Sequence, residues 1–200
     1  MEWTYRQIVQ IVTEGAIRAA VLTTLQKSGL GDAVDLMMFY LSSRDVVKAL
    51  RRAHERGANV RVLLDANKDA FGRKKNGIPN RPAAFELHRA GIEVRWCHTQ
   101  GEQCHAKMRV TRSTDGSATL IAGSANFTRR NLDDYNLETN VVIRADADTS
   151  AISRASRRFE QAWENENGHQ YSVPYTYHAE PSWFQRVLYR FMEWSGVSTF

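Results

Sequence analysis

Cysteine is scarce in this chain of 200 residues: only Cys97 and Cys104 occur, too few for a disulfide scaffold. The 4 prolines and 12 glycines exclude collagen-like and Pro/Gly-rich disordered chains. Long apolar runs are also missing. A stretch such as Leu36 to Leu41 falls far short of the roughly 18 residues a membrane-spanning helix needs. Met1 to Gln7 shows no basic region followed by an apolar one, so no secretory leader is read there. The expected compartment is the cytosol, where the two cysteines are expected as free thiols. What is present is an ordinary globular composition. At 42% hydrophobic and 24% charged residues, the chain suits a single domain over 1–200 with a sizeable core. Lys and Arg together number 27 against 22 Asp and Glu, a net charge of +5. That balance fits an anionic partner such as a phosphodiester, a nucleic acid or a lipid surface.

The apolar pattern alternates in type along the first half. Ile8, Val12, Ala16, Ala19, Leu22 and Leu25 recur at helical spacing until Gly29 and Gly31, which predicts one long first helix. Val34 to Leu41 reads as a buried strand. Ser42, with Asp45 three positions on, predicts a capping-box start for a second helix carrying Val46, Val47, Leu50 and Ala53 inward. Val60 to Leu64 is a second strand. A basic loop, Lys68 to Pro82, leads to a short helix with Ala83, Ala84 and Leu87 and then to a strand over Ile92 to Trp96. Strand and helix in alternation imply βαβ units and a mainly parallel sheet, an α/β fold. Further on, Ala106, Met108 and Val110 alternate with polar residues, Asp115-Gly116 marks a turn, and Thr119 to Ala122 returns: a hairpin. Leu137 to Ile143 adds a strand. Ile152, Ala155, Phe159, Ala162 and Trp163 mark a long helix, and the aromatic stretch 181–200 is expected to form a last helical segment. The apolar stripe of that segment needs a cover, from its own core, from a second catalytic half or from a membrane surface.

The chemistry gathers between His105 and Glu138. His105 and Lys107 are two residues apart on the predicted hairpin, so they leave one face together, and Ser124 and Asn126 repeat the spacing at the end of the partner strand. An imidazole, an ammonium, a hydroxyl and a carboxamide at one point suit a phosphodiester. The ring is a nucleophile at neutral pH, and the other groups serve the nonbridging oxygens. Gly123 is expected to let backbone approach the phosphate, and Glu138 to accept the other ring N–H of His105. A competing pattern, Cys97-His98 with Cys104-His105, offers four zinc ligands at spacings unlike the usual pairs. Lys68, Arg73, Lys74 and Lys75 read either as a solvated surface or as a collar for an anionic substrate.

His105-Ala106-Lys107, Gly123-Ser124-Ala125-Asn126-Phe127-Thr128 and Asn136-Leu137-Glu138, taken in that order, resemble the motifs of the phospholipase D superfamily. Met38-Phe39-Tyr40-Leu41, Arg56 to Arg61, Asn67 to Gly72 and the terminal Ser198-Thr199-Phe200 are similar to the bacterial cardiolipin synthase-like branch. The resemblance implies a mixed β-sheet sandwiched between helices and a phosphohistidine mechanism. His105 would act as nucleophile or acid, Lys107, Ser124 and Asn126 would hold phosphate, and Glu138 would orient histidine, with no metal or other cofactor required. It implies a phospholipid as substrate, by hydrolysis or phosphatidyl transfer, with peripheral contact to a membrane. A dimeric nuclease and a noncatalytic binding module are the alternatives.

Two departures stand out. The family often carries Asp five residues after the motif lysine, where this chain has Arg112 and the nearest acid is Asp115, so altered support of the hairpin is expected. The family's site is built from two pseudosymmetric halves, whereas this chain holds one motif. The other half is expected from a second copy, as a homodimer, or from a missing N-terminal half.

Overall fold

The computed structural model describes residues 7–66, 69–70, 73–74, 79–178, 187 and 191. Eight strands form one mixed sheet in the order β1-β9-β8-β7-β2-β3-β6-β10. Its parallel centre is β2 (Ala33–Met38), β3 (Asn59–Leu64) and β6 (Glu93–Cys97). On one side the antiparallel strands β7 (Lys107–Arg112), β8 (Ser117–Gly123), β9 (Thr139–Asp146) and β1 (Ile8–Thr13) extend it, and β10 (Ser172–Pro174) closes the other edge. A separate two-stranded ribbon pairs β4 (Asp69–Ala70) with β5 (Arg73–Lys74).

Helices cover both faces. α1 (Gly15–Lys27), α2 (Arg44–Glu55) and α3 (Asn80–Arg89) share a core with Val34, Leu36, Met38, Val60, Val62 and Leu64. α5 (Ser150–Glu164) lies on the opposite face, where Phe159 and Trp163 meet Met37 and Leu63, and Ile152 meets Val110. A single turn, α4 (Arg129–Leu132), follows β8. The expected α/β class, with a mixed sheet between helices, is what the chain adopts.

The expected first helix is corrected. Ile8–Thr13 is a strand, because the run Ile-Val-Gln-Ile-Val-Thr is rich in β-branched side chains and pairs antiparallel along β9, Ile11 opposite Val141. The helix begins only after Glu14, whose φ of 52° breaks the chain direction. The capping box is also not formed. α2 is entered through Ser43, without a side-chain cap. Ser42 and Ser43 both donate their backbone N–H to Phe127 O, at 3.0 and 2.9 Å, while Asp45 pairs with Arg18. Tertiary docking of the β2 end onto the segment after β8 takes the place of a local cap. Of the expected basic loop, residues 68, 71–72 and 75–78 lie outside the described residues, while Asp69–Ala70 and Arg73–Lys74 pair as β4 and β5 and α3 begins at Asn80; the aromatic segment 181–200 falls largely outside them, and within it Val187 and Phe191 are helical and exposed.

Candidate active site

In a parallel sheet, the loops beyond the strands' carboxyl ends are where ligands are bound, and the motif residues collect at that end. From β6 the chain must travel back across β3 and β2 to start β7. Cys104 N donates to Asp65 Oδ2 just past β3, at 2.8 Å, and Phe39 N just past β2 donates to Ala106 O at 2.7 Å. His105 lies between these two anchor points, exposed to solvent, its ring 4.6 Å from that of Phe39.

Lys107 opens β7, and its Nζ lies 3.1 Å from each ring nitrogen of His105. Burial, and next the Lys107 charge, hold the imidazole below its ordinary value, with Asp65 acting the other way. This shift favours the neutral ring, which has a lone pair available. Lys107 is itself lowered by burial, against the pull of Glu138.

The other motif residues arrive from β8 and the segment after it. Asn126 Oδ1 accepts from Tyr40 N at 3.2 Å, which leaves its NH2 group for a ligand. Ser124 N donates to Thr139 O, and Thr139 N to Ser124 Oγ, both at 3.0 Å. The expected contact between Glu138 and His105 is not formed. The β8–β9 register sets Gly123 opposite Asn140, so Glu138 emerges beside Ser124. One of its oxygens accepts from the Ser124 hydroxyl and the other from Asn131 Nδ2. Asn131, buried in α4, was not singled out in the sequence; its signal was Thr128, which caps α4 through Asn131 N at 3.3 Å.

Gly123 has a different reason from the expected one. A Cβ there would lie 2.3 Å from Thr139 O and 2.5 Å from Asn140 Oδ1, so the glycine lets β9 close on β8 rather than admitting a phosphate. Gly123→Ala is expected to cost about 1–3 kcal/mol, as overpacking does; an unchanged melting temperature in thermal unfolding would refute this.

The cysteines are corrected as well. Cys97 and Cys104 form a disulfide, with Cα atoms 6.2 Å apart, because the returning loop sets Cys104 back over the end of β6, in one apolar cluster with Cys97. Their sulfurs are bonded to each other, which removes the four-ligand zinc reading. Among the described residues no group of three or more His, Cys, Asp or Glu is placed to hold a metal.

At the position where an acid was looked for, Arg112 donates to Asp35 Oδ2 on the neighbouring strand at 2.6 Å. Arg61 donates to Asp35 Oδ1 at 2.8 Å and to Glu160 Oε2 on α5 at 3.0 Å. Asp115 instead closes the hairpin turn, accepting from Ser117 N at 2.9 Å.

Residues 21–163 match the family described as cardiolipin synthase, PLD-like domain. The chain belongs to this phospholipase D-like family. Among its relatives, mouse mitochondrial cardiolipin hydrolase is 29% identical over 140 residues, covering 70% of this chain and 56% of that protein. The chain spans about half the length of the curated relatives it matches. The family fold is also seen in solved structures. Nuc from Salmonella typhimurium, a phospholipase D family member, superposes with a TM-score of 0.59 at 21% identity, covering 84% of this chain and 99% of that one. Phosphatidylserine synthase from Haemophilus influenzae gives a TM-score of 0.65 at 13% identity, over 98% of this chain and 48% of that one.

Proposed function

We propose that this chain is one half of a phosphodiesterase or phosphatidyltransferase of the phospholipase D type, acting on phospholipids through a phosphohistidine. The observation that carries this reading is His105, exposed at the carboxyl end of the parallel strands, with the Lys107 ammonium 3.1 Å from its ring and its basicity held below the ordinary value by burial and by that charge. In the first step a ring nitrogen of His105 attacks phosphorus. The bond from phosphorus to the leaving oxygen breaks, and its electron pair stays on that oxygen, which takes a proton from a histidine of the second half. Water, deprotonated by that same histidine, then attacks phosphorus, and the P–N bond returns its electron pair to His105; an alcohol in place of water gives transfer. Lys107 and the Asn126 NH2 group face the nonbridging oxygens, where negative charge grows, and the Ser124 hydroxyl joins them by turning from Glu138. Glu138 acts here through Ser124 and, by charge, through Lys107.

A phospholipid is favoured over a nucleic acid by the family description and by the name of the mouse relative. No described helix is long and apolar enough to cross a membrane, and the proposed contact with lipid is peripheral. The second half comes from another copy or from a further stretch of chain. Ile11 at 74% exposed and its register partner Val141 at 36% lie on β1 and β9, and Leu137, just before β9, is 89% exposed; this apolar edge beside the site supports a docked second half.

The test is an assay on cardiolipin in mixed micelles, beside single-stranded DNA, with excess chelator and with light scattering to give the mass. Lipid turnover unaffected by the chelator, and a phosphoprotein labile to acid, are expected of a histidine nucleophile. Chelator-sensitive turnover, or DNA cleavage with no lipid turnover, would overturn the reading.

A further inference from the structure

Asp65 lies just beyond β3 with 3% of its surface exposed. An ionised carboxylate so placed is costly unless it is hydrogen-bonded to useful partners. One partner is the backbone N–H of Cys104, immediately before His105, at 2.8 Å. The backbone of Asp65 is itself fixed: Asn80, fully buried at the start of α3, donates through Nδ2 to Asp65 O at 2.8 Å and to Phe39 O at 2.6 Å. Its Oδ1 accepts from Leu41 N at 2.8 Å. One carboxamide thus ties the ends of β2 and β3 to α3, and from this fixed point Asp65 reaches the loop that carries the nucleophile. On the far side of His105, Ala106 O is held by Phe39 N. The histidine therefore sits between two tethered neighbours.

We propose that Asp65 is the positioning residue of this site, fixing the backbone of Cys104 and thereby the aim of the His105 ring. The inference rests on the role of His105 proposed above. The carboxylate also has an electrostatic role that a purely structural clamp would lack. Burial and Lys107 make the ring less basic, and Asp65 opposes them. Of the other groups around the ring, Glu138 acts on Lys107, the Tyr40 ring lies tilted against that of Phe39, with centroids 4.0 Å apart, and Glu102, in the same returning loop, is held low chiefly by backbone hydrogen bonds, with the His98 charge adding to the effect.

The two roles separate by substitution. Asp65→Asn keeps an acceptor for Cys104 N–H and loses the charge; Asp65→Ala loses both; Asp65→Glu keeps the charge with a longer reach. With less negative charge nearby, the His105 ring is protonated only at lower pH. In Asp65→Asn the acid limb of kcat/KM against pH is therefore expected to move to lower pH with KM nearly unchanged. Asp65→Ala is expected to lower kcat by about 10- to 100-fold, the scale for residues that orient a reacting group, with Asp65→Glu recovering part of the loss. The His105 titration followed by NMR in the full-length chain, with no substrate present, should show the same downward shift in Asp65→Asn. An unmoved titration and acid limb in Asp65→Asn would overturn the proposal, as would loss of kcat that follows only the loss of thermal stability. Failure of the nucleophile reading is a separate result, seen as undiminished activity in His105→Ala, and the NMR titration tests Asp65 independently of it.

Discussion

His105→Ala is expected to lower phosphodiester turnover by about 10⁴-fold or more, the scale on which loss of a nucleophile is felt, while the protein stays folded. The two halves of this expectation have separate grounds. The ring is exposed, and its neighbours are the Phe39 ring and the Lys107 ammonium. Truncating a side chain in such a place changes stability by about 0.5 kcal/mol or less. The activity, by contrast, has no alternative nucleophile at that point, since the Ser124 hydroxyl donates to Glu138 and the Lys107 ammonium is cationic. Lys107→Ala should cost less, about 10²- to 10³-fold, the size of losing one donor to developing charge. The comparison requires steady-state rates beside melting curves for each variant. A His105→Ala protein that keeps a tenth of the activity would sink the covalent mechanism.

Asp35→Ala is expected to have the largest effect on stability, a loss of about 3–5 kcal/mol, the range measured when one partner of a buried ion pair is removed. Asp35 is 1% exposed and takes Arg61 on one oxygen and Arg112 on the other. Although burial opposes it, hydrogen bonds to Glu160 and Asp35 raise the Arg61 guanidinium above its ordinary value. Removing Asp35 leaves two guanidinium groups, on the strands that flank β2, with only Glu160 on α5 to share. For a domain of this size the melting temperature should fall by roughly 10 °C. Denaturant unfolding checks the figure, and a loss under about 1 kcal/mol would show that the pair adds little.

Much of this arrangement was legible in the sequence because the carrying signals are local. The strands from Val34 and Val60, the hairpin turning at Asp115-Gly116 and the helix through Phe159 and Trp163 each rest on apolar spacing within a short window. So does the meeting of His105 with Lys107. The misreadings share a different cause: they depend on what lies across the sheet. Ile8 and Val12 are spaced for a helix, yet the β-branched run finds β9 as a partner. Along β7, the alternation of apolar with polar residues does not reveal that Arg109 and Thr111 are buried. Arg109 is fully buried, donates to Val21 O at 2.8 Å, and is pushed down to about 9 by burial, with Arg144 adding to the effect. Glu138 was assigned to His105 from the motif order. Strand register places it at Ser124 and Asn131 instead, a distinction of one residue that no spacing rule resolves. The Cys97–Cys104 bond and the Asp65 anchor likewise depend on a loop crossing two strand ends, which is a property of strand order.

The pairing of Asp35 with Arg112 bears on how relatives of this chain can be found. A pattern that requires an acid five residues after the motif lysine passes over it. The physical demand at that place is for opposite charges set diagonally across the β2–β7 pair, and either strand can supply the acid. A search that scores positions 35 and 112 jointly, accepting the acid on one and the base on the other in either arrangement, would retain this chain.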